Sequence, residues 1–467
     1  MSRVLLVNPP FYRLLGSHYN ANSLGIAYIS SFLNKNGHDC WLYNADFLGH
    51  NEFTKYDVIH REKGFKTYKD YFSNTDGYIW EEVVEKIIKF EPEWVGYTSY
   101  TANIQTIDIL STKVRERKPK IKQIIGGVHA TLDHNLLDKL KNIDYSVQRE
   151  GEEAMLALVN GNDPRTISGV ACREGTKIIG IGDANVIKSI DDLPLPERNK
   201  FYGMSEEEKQ FIDVSYICSI RGCPYRCNYC ASPFHWKRDK TQYRSPESVL
   251  DEMKHLKSNY WNKKKYDYSA SGNVEDKSKM IIEDNTIVYF VDDIFTVKKP
   301  RVKQIMRNMI DNKLDMPWKC EARTDHLDEE IAELMKQTNC NRVKLGFESG
   351  SDRILKEIQK DYKNALLTLA FILFLADWII MIFMTRLWDS LTRHKLFSKS
   401  KMNLTSLLLA ACLAVFFYPS VSKAQPSQNT LLENMSSLHL AYIESGSALK
   451  DSKMREGLRN LGDFLTK

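Results

Sequence analysis

The sequence predicts an α/β chain: a doubly wound parallel sheet, then a partial βα barrel, then a membrane-like helical tail. Three observations carry this expectation. Strand-like apolar runs alternate with amphipathic stretches from residue 3 to about 160, the same alternation restarts near 211, and the composition turns abruptly apolar after about 361.

In order along the first region, "RVLLVNPP" reads as a buried parallel strand. "NSLGIAYISSFLNKNGHDCWLYNAD" follows as a helix, a glycine turn and a second strand. A helix over 79–90 leads into the strand "EWVGYTSY", the helix "ANIQTIDILSTKVRERKP" and the strand "KQIIGGVHAT". "IDYSVQREGEEAMLALV" supplies the last strand and helix of a Rossmann-like domain over 1–160. Such sheets bind ligands at the carboxyl ends of their strands, which makes Asn8-Pro9-Pro10, Thr98-Ser99 and Gly126-Gly127-Val128-His129 the candidate loops. The paired glycines would let backbone approach a large flat ligand, or simply make two tight turns. His129 reads as a satisfied loop residue rather than a ligand.

Residues 161–210, punctuated by "DDLPLPERNKF", predict a linker. Over 211–361 the strands "DVSYI", "NTIVYFVDDIFT", "MPWKCEARTD" and "RVKLGFESG" alternate with the helices "SPESVLDEMKHLK" and "LDEEIAELMKQTNC". That is a βα barrel pattern with four strands, interrupted over 257–284 by a Lys-, Tyr-, Asp- and Ser-rich solvated insertion.

The 467 residues, 43% hydrophobic, suffice for more than one core. A formal net charge of +5 with both signs interspersed shows no nucleic-acid footprint. Nine cysteines, five of them scattered (Cys40, Cys172, Cys320, Cys340 and Cys412), argue against a secreted disulfide framework. The expected setting for the catalytic region is the cytoplasm, since the N-terminal apolar run is too short for a signal peptide core.

Four cysteines crowd into "CSIRGCPYRCNYC". Cys223, Cys227 and Cys230 have CxxxCxxC spacing, with no fourth cysteine or histidine at zinc-ribbon spacing downstream. Three thiolates can hold three irons of a [4Fe–4S] cluster and leave the fourth open. A structural zinc completed by a distant ligand is the alternative. Cys218 reads as a small buried hydrophobe.

This loop, directly after a barrel strand and with Tyr229 before its last cysteine, resembles the radical S-adenosylmethionine (SAM) superfamily. The wider set "NPP", "GIAYISSFL", "GGVHAT", "REGEEA", "DDLPLPER", "YFVDDIFT" and "KLGFESGSDRILKEIQK" is similar to its cobalamin-binding branch over residues 3–361. That branch includes anaerobic magnesium-protoporphyrin monomethyl ester cyclase and related methyltransferases. The resemblance implies a [4Fe–4S] cluster on Cys223, Cys227 and Cys230, with SAM on its open iron. It places Tyr229 near the adenine and turns Asp292, Asp293, Arg323 and Glu348 toward SAM or substrate. Cobalamin would contact Thr98, Ser99, Gly126 and Gly127. Many cobalamin domains carry a cobalt-ligating histidine in a DxHxxG loop; here Asn8, Pro10 and Arg13 stand at the corresponding places, so cobalamin would bind without it. The resemblance further implies a small-molecule substrate, a reductant such as flavodoxin or ferredoxin, and methyl transfer or radical cyclisation.

Residues 365–384, "ALLTLAFILFLADWIIMIFM", have transmembrane length, and 404–418 form the apolar core of a signal-peptide-like segment ahead of a helical tail over 425–467. The basic stretch between them opposes the positive-inside tendency if the barrel is cytoplasmic. Two readings follow: a membrane anchor over 362–424, or unrelated sequence joined to a truncated, non-catalytic barrel.

Overall fold

The computed structural model describes residues 1–346 except 16–19, 48–59, 176, 181, 183, 185, 228, 237–240, 267–280 and 286, together with Arg353. Glu348, the apolar segments over 362–424 and the tail over 425–467 therefore lie outside the described residues. Among the described residues no helix is long and apolar enough to cross a membrane.

The first sheet begins with β1 (Arg3–Asn8), β2 (Asp39–Asn44), β3 (Trp94–Thr98), β4 (Lys122–Gly126) and β5 (Tyr145–Val147), paired in parallel in the order β2-β1-β3-β4-β5. The unbroken apolar run of β1 follows from cover on both faces. Val4 and Leu6 enter one core with the helices Leu24–Lys35 and Glu152–Val159. Leu5 and Val7 enter the other with the helices Tyr78–Lys89 and Ile104–Arg117. Fully buried side chains such as Trp80, Val83 and Ile87 each contribute roughly 1.5–3 kcal/mol to this packing.

The linker expected over 161–210 needs correction. Its β6 (Val170–Glu174) and β7 (Lys177–Gly180) extend the sheet antiparallel from β5. Buried Val170 and Cys172 alternate with half-buried Ala171 and Arg173, a period-two pattern, and Gly175 turns the hairpin with φ +60.

The second module opens with β8 (Tyr216–Ile217), then the antiparallel pair β9 (Ile220–Arg221) and β10 (Gln242–Tyr243). The helix Pro246–Tyr260 starts as its Ser-Pro signal predicts: the Ser245 side chain accepts from the Ser248 N–H. Within the expected insertion, β11 (Asn262–Tyr266) and β12 (Ile281–Asn285) form an antiparallel pair. Then come β13 (Val288–Phe290), β14 (Trp318–Arg323) and β15 (Cys340–Gly346), with helices Lys299–Asp311 and Glu329–Gln337 between them. The order β15-β14-β13-β8 is parallel throughout, so the described barrel has the four expected strands. The core that holds Val4 and Leu6 continues without a break through Ile217, Val249, Phe290 and Trp318, so one apolar cluster serves both modules.

Candidate active site

The loops at the carboxyl ends of β1, β3 and β4 are held by side chains rather than left open. Asp46 accepts from the backbone N–H groups of Phe11 and Arg13, both at 2.8 Å, and of Tyr12 at 3.1 Å, which fixes the turn after Pro10. Burial pushes its carboxyl up to about 6 despite those bonds. Arg13 reaches Glu82 at 2.6 Å, and Asn8 donates to Asn44 at 3.0 Å. His129 is engaged by Thr101 at 3.0 Å.

Ser99, expected among the cobalamin contacts, has its hydroxyl engaged within the chain. It is fully buried, its hydroxyl donates to the Gly126 carbonyl at 2.7 Å and accepts from the Ala130 N–H at 3.2 Å. It is the tie between two loops. Gly127 has φ +98, and a Cβ there would stand 2.9 Å from both the N and O of Ser99, so this glycine is demanded by the tie as much as by any ligand.

The cysteine loop leaves β8 past a buried clasp. Asp292 accepts from Ser219 N–H at 2.6 Å, Ser219 Oγ at 2.5 Å and Ile220 N–H at 2.8 Å, and is 2% exposed. The expectation that Asp292 faces SAM is thereby corrected: Val288, Phe290 and Asp292 continue the buried side of one strand. Burial pushes its carboxyl up to about 6. Cys218 turns back to donate to the Ile220 carbonyl at 3.2 Å, and burial pushes that thiol up to about 12.

Cys223, Cys227 and Cys230 are free and half-buried. Burial pushes the Cys223 thiol up to about 11. Between the first two cysteines, Tyr225 makes a 2.5 Å hydrogen bond with His326 Nε2, whose Nδ1 meets Thr296 Oγ1 at 3.2 Å. Arg323 lies 4.3 Å over the Tyr225 ring and is held by both oxygens of Asp325 at 2.9 Å. Arg323 thus braces the cysteine loop. Ser232, just past Cys230, donates to Asp293 at 2.5 Å, and Tyr229 is 54% exposed.

Between the first sheet's loops and this module lies a cavity of about 400 Å³. Leu6, Gly96, Thr98, Gly126 and Gly127 line it from the first module; Cys218, Arg221, His235, Trp236 and Asp293 line it from the second. It therefore unites Thr98, Gly126, Gly127 and Asp293, but not Ser99, Tyr229, Asp292 or Arg323. Sequence reasoning missed the ion trio in its wall. Arg221, two residues before Cys223, pairs with Glu150 at 2.9 Å and Glu152 at 2.6 Å, and all three side chains are under 10% exposed. Burial, the larger influence, raises the Glu150 carboxyl even though Arg221 opposes it. Both glutamates sit in "REGEEA", a signal that could have pointed here.

Residues 15–159 match the model of the B12 binding domain, and residues 217–371 that of the radical SAM superfamily. The chain belongs to the radical SAM superfamily, in its B12-binding branch. An uncharacterized methyltransferase of Pyrococcus horikoshii is 26% identical over 284 residues, covering 60% of this chain and 56% of that protein. The anaerobic magnesium-protoporphyrin IX monomethyl ester cyclase of a Synechocystis strain is 25% identical over 402 residues, covering 81% of this chain and 68% of the cyclase. This chain thus spans little more than half the length of the first of these relatives. TsrM, a radical SAM methyltransferase from Kitasatospora setae solved with cobalamin and a [4Fe–4S] cluster, superposes with a TM-score of 0.50 at 16% identity, covering 74% of this chain and 59% of that one. At that identity the likeness supports the fold alone.

The cofactors of the two modules are a [4Fe–4S] cluster with SAM, and cobalamin. The residues present fit them. The radical SAM module offers three free thiols on one loop, the donor set for a cluster with one open iron. In the B12-binding module, Gly96, Gly126 and Gly127 bring backbone to the cavity lining beside the apolar Leu6, Ile124 and Val147, a surface that suits a broad flat ligand.

Proposed function

We propose that this chain cleaves SAM reductively at a cluster held by Cys223, Cys227 and Cys230, and that cobalamin resting on Thr98, Gly126 and Gly127 directs the outcome to methyl transfer onto a small molecule, with radical cyclisation as the second outcome. The observation that carries the reading is the single cavity reached by the glycine loops and by Asp293 beside the cysteine loop. Methyltransferases and cyclases both occur among the relatives. In this reading residues 1–160 serve cobalamin and 211–361 serve SAM, with electrons from a donor such as flavodoxin or ferredoxin.

When bound, the cofactors supply the electron, the radical and the methyl carrier. The chain's own residues position them. Asp292 fixes the start of the loop through Ser219 and Ile220, while Tyr225, His326 and Arg323 brace its middle. Asp293, exposed at the mouth, is the acceptor available to a sulfonium or ribose hydroxyl, and Tyr229 and Glu348 would complete the SAM contacts.

The test is anaerobic reconstitution of the full chain with iron and sulfide, followed by SAM and a strong reductant. Formation of 5′-deoxyadenosine is expected. Cys227→Ala should abolish the broad visible absorption of the cluster and Cys218→Ala should retain it; equal loss in both variants would refute the ligand assignment.

A further inference from the structure

The cavity wall on the barrel side contains a polar atom that no described residue satisfies. His235 lies five positions beyond Cys230 and lines the cavity with Trp236. Its backbone is fixed: the N–H donates to Ala231 at 3.0 Å, and the carbonyl accepts from the Arg149 guanidinium at 3.3 Å. The ring is fixed too, edge-on to Trp236 with centroids 4.8 Å apart. Yet the imidazole Nδ1 is buried and, among the described residues, has no hydrogen-bond partner. Native proteins rarely leave such an atom orphaned unless a missing ligand or water completes it.

The surroundings narrow the choice of ligand. The B12-binding module lines the same cavity with Gly96, Gly126 and Gly127 together with the apolar Leu6, Ile124 and Val147, a broad and largely apolar floor. A ligand flat enough to lie on that floor leaves its rim to be met from the barrel side. Cobalamin carries a rim of carboxamides, which donate and accept, so they match an imidazole nitrogen in either tautomer. SAM, by contrast, is expected at the cysteine loop, where Asp293 stands.

We infer that His235 is a cobalamin-binding residue, its Nδ1 completing a hydrogen bond to a peripheral carboxamide of the corrin while Trp236 packs beside it. The inference rests on the reading of this cavity as the cobalamin site. It assigns the radical SAM module a direct share in holding the other module's cofactor, so cobalamin would be gripped from both sides.

The experiment titrates hydroxocobalamin into the cluster-reconstituted full chain, following its visible spectrum, for wild type, His235→Phe and His235→Asn. Phe keeps a ring without nitrogen, and the Asn amide places a polar atom near the position of Nδ1. Loss of one buried hydrogen bond predicts a Kd about tenfold weaker in His235→Phe and largely recovered in His235→Asn. The Kd for SAM should be unchanged in both. Unaltered hydroxocobalamin binding in His235→Phe overturns the inference, as does weakened SAM binding in its place. If wild type binds no hydroxocobalamin, the cobalamin reading itself falls. Should His235→Phe fail to assemble the cluster, the smaller His235→Leu provides the same comparison.

Discussion

Two buried arginine–glutamate networks sit in this molecule and are built with opposite stoichiometry. Glu252, fully buried, lies between Arg198 at 2.5 Å and Arg244, two cations on one anion. Arg221 lies between Glu150 and Glu152, two anions on one cation. The first is closed: Arg198 also donates to the carbonyls of Val214 and Tyr216, both at 2.9 Å, and of Pro196 at 3.4 Å, and none of the three lines the cavity. The second is open, because all three of its members line the cavity and leave a surplus of negative charge in its wall. The same pair of residue types thus fastens the fold in one place and faces a ligand space in the other.

The largest break in this comparison should come from Glu252→Gln. It leaves buried Arg198 without its anion and Arg244 with only Asp191 at 3.9 Å, which costs about 3–5 kcal/mol. That is a large part of a typical domain's stability, so the urea midpoint should fall sharply while the molecules that remain folded bind hydroxocobalamin normally. Glu152→Gln should cost less, about 1–2 kcal/mol, since Arg221 keeps Glu150 and a neutral acceptor. Its hydroxocobalamin Kd should nevertheless rise, because the change falls in the cavity wall. An unchanged Kd would reduce the second network to a second fastening.

The smallest effect is a pH dependence whose sign separates a buried carboxylate in direct contact with two arginines from one whose hydrogen bonds all come from neutral donors. Although burial opposes it, the pKa of Glu252 is lowered by Arg198 and Arg244, so its contribution is present above the ordinary glutamate pKa and is lost as pH falls. Burial raises Asp292 to about 6 although Ser219, Arg301 and Ile220 oppose it, so its contribution is full below about pH 4 and is lost as pH rises through 6. The stability advantage of wild type over Asp292→Asn should therefore be greater at pH 4 than at pH 7, by an amount on the order of 1 kcal/mol. Denaturant titrations at the two pH values measure it.

Periodicity and punctuation exposed the parallel strands, and cysteine spacing exposed the loop, because both are local properties of the chain. The hairpin of β6 and β7 was equally local: "VACREGTKIIG" alternates around a glycine turn, and the prolines nearby hid it. The inward face of Asp292 was also within reach, since counting by twos from Val288 and Phe290 puts it on the buried side. Other features could not be counted out. Arg221 meets glutamates some seventy positions earlier, and Tyr225 meets a histidine a hundred positions later. His235 is conspicuous only because of an atom left unpaired, and pairing is visible only once the modules are packed.

The apolar cluster running from Val4 to Trp318 also bears on how such a protein is made and inherited. During synthesis the first sheet emerges with one of its helical faces still waiting for Ile217, Val249 and Phe290, hundreds of residues behind the leading strand. Until they arrive that apolar face has no partner, and exposed surface of this kind is prone to aggregation. For the same reason the modules are poor currency for recombination: a B12-binding half exchanged alone would carry away half of an interior.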